Sequence, residues 1–145
     1  MQLSQFTDYS LRVLMYLGFC NKDLVTISEI SSAYDVSRNY LMKVVSHLAA
    51  KGFVHTTRGK GGGIRLSRHP SLINLGEVIR ECETDLRVVE CLGPVQSSCP
   101  LLPECALRSV LREALHGFLG ILDKYSIQDL VASPNIGRGL LRASI

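Results

Sequence analysis

The stretch Ser37-Arg-Asn-Tyr-Leu-Met-Lys-Val-Val-Ser-His-Leu-Ala-Ala-Lys-Gly52-Phe-Val-His-Thr-Thr-Arg58-Gly-Lys-Gly-Gly-Gly63-Ile-Arg-Leu-Ser-Arg68 changes its hydrophobic period halfway, and that change decides the fold. Up to Lys51 the apolar residues Leu41, Val44, Val45 and Leu48 recur at helical spacing, with Ser37 placed to cap the start and Gly52 placed to end it. From Phe53 the pattern becomes that of two short strands, Phe53–Arg58 and Ile64–Arg68, around Gly59-Lys-Gly-Gly-Gly63. Glycine allows positive φ at a hairpin tip and lets the backbone come close to a ligand. A phosphate-binding nucleotide loop is excluded, because G-x-x-x-x-G-K-[ST] is absent and these glycines lead into a strand, not a helix.

Upstream, Thr26-Ile-Ser-Glu29 is a capping box that opens a short helix carrying Ile27, Ile30 and Ala33 inward and stopping around Tyr34-Asp35-Val36. Before it, residues Gln2 to about Phe19 align Leu3, Phe6, Ser10, Val13, Leu14 and Leu17 on one helical face. A short helix, a turn, a longer helix and a glycine-rich hairpin make a winged helix-turn-helix. The predicted fold is therefore mainly α with a small β-hairpin wing, followed by a long helix.

Charge supports that reading. Between Arg38 and Arg68 stand seven basic residues and no Asp or Glu; since the whole chain sums to +3, the remainder carries −4. A basic block in an otherwise acidic chain points to a polyanion. The face opposite Leu41, Val44, Val45 and Leu48 is read as Arg38, Asn39, Tyr40, Lys43 and His47. Its N-terminal residues would reach base edges in the major groove of double-stranded DNA. Arg58, Lys60 and Arg65 on the wing would meet phosphates or a minor groove. Taken alone, His47 reads equally as an ordinary exposed histidine, and Tyr40 as a residue packed under the turn.

Downstream, Asn74 caps a fourth helix that turns Leu75, Val78, Ile79 and Cys82 inward; Cys82 and Cys20 both read as small buried hydrophobes. Three further cysteines, Cys91, Cys99 and Cys105, share a loop rich in Pro, Gly and Ser, with gaps of seven and five residues. Thiolates gathered in this way favour zinc, copper(I) or an iron-sulfur cluster. The gaps are long for a zinc knuckle and suit a larger centre; three unrelated thiols in a loop, or a disulfide plus a spare thiol, are the other readings. Five cysteines, no segment resembling a secretory signal and no apolar run near the ~20 residues that span a bilayer predict a cytoplasmic protein with reduced thiols and no membrane association.

Pro103 is placed in the first turn of a long helix running from about Glu104 to Lys124. Its stripe, Leu107, Leu111, Ala114, Phe118 and Ile121, is heptad-like and predicts a twofold partner, hence a homodimer on a pseudo-palindromic operator, with packing inside the subunit alone as the other reading. Ser126-Ile-Gln-Asp129 caps one more short helix. The resulting division is a winged-helix module over 1–82, with recognition helix about 38–51 and wing about 53–68. A cluster loop over 83–105, a dimerisation helix and short C-terminal helix over 106–132 and a mobile tail over 133–145 complete it.

The opening Met1-Gln-Leu-Ser-Gln-Phe-Thr-Asp-Tyr9, the Val36-Ser-Arg-Asn-Tyr-Leu41 helix start, the Arg58-Gly-Lys-Gly-Gly-Gly-Ile-Arg-Leu66 wing and the three-cysteine loop before a long helix together resemble the Rrf-two family of bacterial regulators, over nearly the whole chain. The resemblance implies a dimeric winged-helix repressor holding one iron-sulfur cluster per subunit through Cys91, Cys99 and Cys105. A 4Fe-4S cluster is favoured, with 2Fe-2S the alternative. A branch that monitors cluster supply uses a histidine where this chain has Arg108; the nitric-oxide-sensing branch is thought to use an aspartate from the partner's first helix, matched here by Asp8. Without the family, Asp8 is an acid in the first turns of a helix, where the dipole favours it. The implied signal is nitric oxide. A regulator of the same fold sensing cluster status or redox state is the alternative. An electron carrier and a DNA-binding protein with structural zinc are the other classes. No nucleophile–base pair points to an enzyme.

Overall fold

A computed structural model describes residues 2–20, 22–93, 97–102 and 104–132. Its elements run α1 (Gln5–Phe19), α2 (Ile27–Tyr34), α3 (Arg38–Ala50), β1 (Val54–Thr57), β2 (Gly63–Leu66), α4 (Leu75–Cys82), α5 (Ala106–Leu122) and α6 (Ile127–Val131), with 3-10 turns at Pro70–Leu72 and Glu90–Leu92. Pro103 and the tail 133–145 lie outside the described residues.

Caps set the helix boundaries. α1 starts at Gln5 rather than Gln2, because the Ser4 side chain accepts from the Thr7 amide at 3.2 Å and fixes the first turn there. The Thr26/Glu29 capping box is formed in both directions, and Lys22 adds an ion pair; these partners pull the Glu29 carboxyl down to about 2, with Lys22 the larger cause. Ser37 occupies the cap position of α3 but makes no side-chain cap bond. The second helix ends on Asp35 in the left-handed region (φ 52°), an excursion tolerated by Asp and Asn.

β1 and β2 pair antiparallel, Val54 opposite Leu66 and Thr57 opposite Gly63. The tip turns through Gly59 (φ 96°) and Gly61 (φ 82°), and a Cβ on Gly62 would fall 2.3 Å from the Thr57 carbonyl oxygen. Glycine is required at this tip by geometry. Val25 bridges to Ile64, tying the hairpin to the segment ahead of α2. Arg68 closes the hairpin's far end, stacking on Phe53 and pairing with Glu77 of α4.

One core joins these elements: Val13, Leu14, Ile30, Leu41, Val44, Leu48, Phe53, Ile64, Ile73, Val78 and Cys82 are buried together, and Ile127 of α6 with them. α6 thus returns to pack on α1, beside Gly18, although the sequence division places it with the dimerisation helix. The chain between is different. α5 buries no residue at all, and it meets the rest of the described chain chiefly through α4 and the Glu90–Leu92 turn, with Leu115 and Phe118 beside a recess that Leu3 and Leu86 also line. Its base is anchored by polar ties, a bidentate Arg80–Asp123 pair and a bond from the Asn74 amide to the Asp123 carbonyl. No helix among the described residues is long and apolar enough to cross a membrane.

Candidate DNA interface and cysteine loop

Helix α3 turns Leu41, Val44, Val45 and Leu48 into the core, which leaves Arg38, Asn39, Met42, Lys43, Ser46 and Ala50 on its open side. Asn39, Met42, Lys43, Ser46 and Ala50 line a shallow concavity with His47 at its edge. Arg38 lies at a neighbouring recess between the start of α2, the start of α3 and the hairpin. Arg58, Lys60 and Arg65 are exposed on the hairpin. One molecular side therefore carries α3's polar face and the cationic wing.

Two residues of the expected reading face are placed differently. Tyr40 and His47, seven residues apart, share one edge of α3 and turn toward α1. Phe6 meets Tyr40 at 6.5 Å and His47 at 5.2 Å between ring centroids, and Tyr9 meets Tyr40 at 5.4 Å, all edge to face. The His47 ring also bonds the Glu81 carbonyl of α4 at 2.9 Å. Aromatic edge-to-face contacts and that bond hold both side chains half-buried. Met42 and Ser46 take the open positions in their place, three and seven residues on from Asn39. A helical wheel shows that placement; only the partners on α1 reveal why Tyr40 and His47 leave.

The basic block also divides. Lys51 pairs with Glu81 at 2.6 Å and Arg68 with Glu77 at 2.8 Å, so two of its seven cations are spent on α4. Among the described residues, Arg38, Lys43, Arg58, Lys60 and Arg65 have no ion-pair partner. Those five carry positive charge that the described chain does not neutralise.

All five cysteines are free, with Cys91, Cys99 and Cys105 half-buried and Cys82 in the core. Burial raises the Cys82 thiol above its ordinary range, as for an inert buried hydrophobe. Cys105 is the N-cap residue of α5, and the Arg108 side chain, one turn on, donates from Nε to the Cys91 carbonyl at 3.0 Å. Arg108 thus ties the two ends of the loop together. Among the described residues, no three His, Cys, Asp or Glu side chains form a group that could hold a metal ion; residues 94–96 of the loop lie outside the description. The donor chemistry nonetheless suits a thiophilic centre, since all three thiols are unbridged and Cys105 stands at the start of α5. Asp8 sits on the exposed side of α1, paired with Arg12 at 2.8 Å, beside Tyr9 and a recess formed with Gln2, Leu3 and Gln5.

A winged helix with an exposed polar recognition face, a cationic hairpin and a separate unburied helix defines a DNA-binding transcriptional regulator. The chain belongs to the Rrf2 family: residues 3–133 match that family's model, described as an iron-dependent transcriptional regulator. It is 46% identical over 142 residues to the HTH-type transcriptional regulator NsrR of Bacillus licheniformis, covering 97% of this chain and 99% of that one. It is 47% identical over 132 residues to NsrR of Bacillus subtilis, covering 90% of each. Among solved structures it resembles CymR, the global cysteine regulator of B. subtilis, with a TM-score of 0.75 and 25% identity over 91% of this chain and 97% of that one. The fold is shared with T. potens IscR, with a TM-score of 0.71 and 22% identity over 91% of this chain and 87% of that one. These relatives are regulators, not enzymes.

Proposed function

We propose that this protein is a dimeric repressor in the cytoplasm that senses nitric oxide through an iron-sulfur cluster held by Cys91, Cys99 and Cys105. The observation that carries the proposal is the position of the three free cysteines, in a loop that leaves the DNA-binding module and ends on the first residues of an unburied helix. The NsrR relatives and the motif resemblance to the nitric-oxide-sensing branch support it.

The cluster, when bound, would supply iron that ligates nitric oxide. The chain's own residues do the rest. Cys91, Cys99 and Cys105 offer soft sulfur ligands, and Arg108 holds the Cys91 end of the loop against α5. Asp8, reaching from the partner subunit, would complete the set as a harder oxygen ligand, weaker than thiolate. Within its own chain Asp8 has a second partner in Arg12. Arg12 is therefore placed to receive the carboxylate whenever it is not a ligand. Tyr9, next to Asp8, touches Tyr40 in the first turn of α3, so a shift of α1 bears directly on the recognition helix. Signal and reading head are separated by one layer of aromatic rings.

Protein purified without oxygen is expected to be brown, to contain iron and sulfide in comparable amounts, and to lose operator retention when the iron is chelated. A colourless preparation holding zinc, with DNA retention indifferent to iron, would overturn the proposal.

A further inference from the structure

Met42 is an anomaly in the winged-helix module. It is 53% exposed, and among the described residues it is the single large hydrophobic side chain between positions 26 and 68 that lies open to solvent. Its neighbours on the face are Asn39, Lys43 and Ser46, all polar, with Arg38 beyond them and no acidic residue on α3. Core packing does not account for it, because Leu41, Val44, Val45 and Leu48 fill the opposite side of the helix.

The partner of this face is known by its charge. A cationic helix face beside a cationic hairpin is complementary to duplex DNA, and the major groove that admits such a helix offers one apolar group on its floor, the thymine 5-methyl. An unbranched thioether side chain adapts its shape to an apolar contact of that size. Asn39 lies one turn before Met42 and Lys43 beside it, so polar contacts would flank the apolar one.

We propose that Met42 reads a thymine methyl in each operator half-site and so sets base preference at one position that hydrogen bonding leaves unspecified. The inference rests on α3 being the reading helix. It adds a specificity-determining residue to that role.

The test begins with duplexes selected from a random pool by the anaerobically purified wild-type protein. Each recurrent thymine is then replaced by deoxyuridine, which removes the methyl and keeps every hydrogen-bonding group. The wild type is expected to lose affinity at one thymine per half-site, on the order of tenfold when both symmetric thymines are changed, from the usual worth of a buried methyl. Met42→Ala should bind the thymine and deoxyuridine duplexes equally, whereas Met42→Leu should keep the difference. If no thymine shows the loss, or if Met42→Ala shows it undiminished, the proposal is overturned. Asn39→Ala separates the role of Met42 from that of α3: an altered selected sequence with no methyl effect removes Met42 alone, and an unaltered one removes α3 as the reading helix.

Discussion

A Val110→Asp protein is expected to sediment as a monomer at micromolar concentration, where the wild type is expected to be a dimer. Helix α5 has seventeen residues and buries none of them. Leu107, Val110 and Ile121 are 63%, 60% and 58% exposed, and Ala114 lies on the same face. An apolar stripe of this extent on a well-formed helix is what the proposed homodimer would cover. The sequence stripe also includes Leu111 and Phe118, but these are half-buried; Phe118 lines a recess with Leu115, Leu3 and Leu86 of its own chain. In the proposed dimer, Val110 is the stripe's neighbour that this subunit's own packing leaves open. A charge at Leu111 would disturb both the partner and the subunit's own packing, whereas one at Val110 strands an aspartate only in the proposed dimer contact. With two reading heads no longer joined, operator affinity should fall by about 10²- to 10⁴-fold, the usual gain from tethering two binding modules. Retention of the dimer in Val110→Asp would place the seam elsewhere.

Cys99→Ser should have an equally large effect on the other half of the proposal. Serine keeps the side chain's size but replaces a soft sulfur ligand by a hard oxygen, which ferrous and ferric sulfur clusters accept poorly. The variant is expected to lose the visible absorption of thiolate-bound iron and operator retention together. Cys20→Ser, at the C-terminal end of α1 and outside the loop, should keep both. Visible absorption and DNA retention undiminished in Cys99→Ser would remove Cys99 from the ligand set.

The winged helix was legible because each of its signals is local. The period change at Gly52, the Thr26/Glu29 capping box and the glycines of the wing tip are all written within a few residues of what they determine. Contacts between distant segments were not legible. Lys51 and Arg68 look in the sequence like any other cation of the basic block, and only the approach of α4 gives them Glu81 and Glu77. Tyr40 and His47 lie at an angle on α3 that suits either DNA or a neighbouring helix, and the rings of Phe6 and Tyr9 decide it. Val25 pairs with Ile64 as a single residue, too short a strand to leave a pattern. The return of α6 to α1 is likewise set by tertiary packing, through Ile127 and the space left by Gly18. As for the cysteine loop, its spacing suggested a soft metal centre, but which side chains meet there depends on how the loop closes, and no local pattern records that.

In the proposed mechanism Asp8 of one subunit couples the cysteine loop of the other to the reading heads, so that nitric oxide at the iron would release DNA. The direct measurement is an anaerobic titration with nitric oxide that follows visible absorbance and operator retention in the same samples, on the wild type and on Asp8→Ala. In the wild type the two signals are expected to change together, as the fraction of protein held in the DNA-competent orientation falls. Asp8→Ala is expected to keep an iron centre of altered spectrum whose response to nitric oxide no longer affects retention. Wild-type absorbance that changes while operator affinity stays constant, or an Asp8→Ala protein that releases DNA as the wild type does, would contradict the account and return Asp8 to its pairing with Arg12 on the surface of α1.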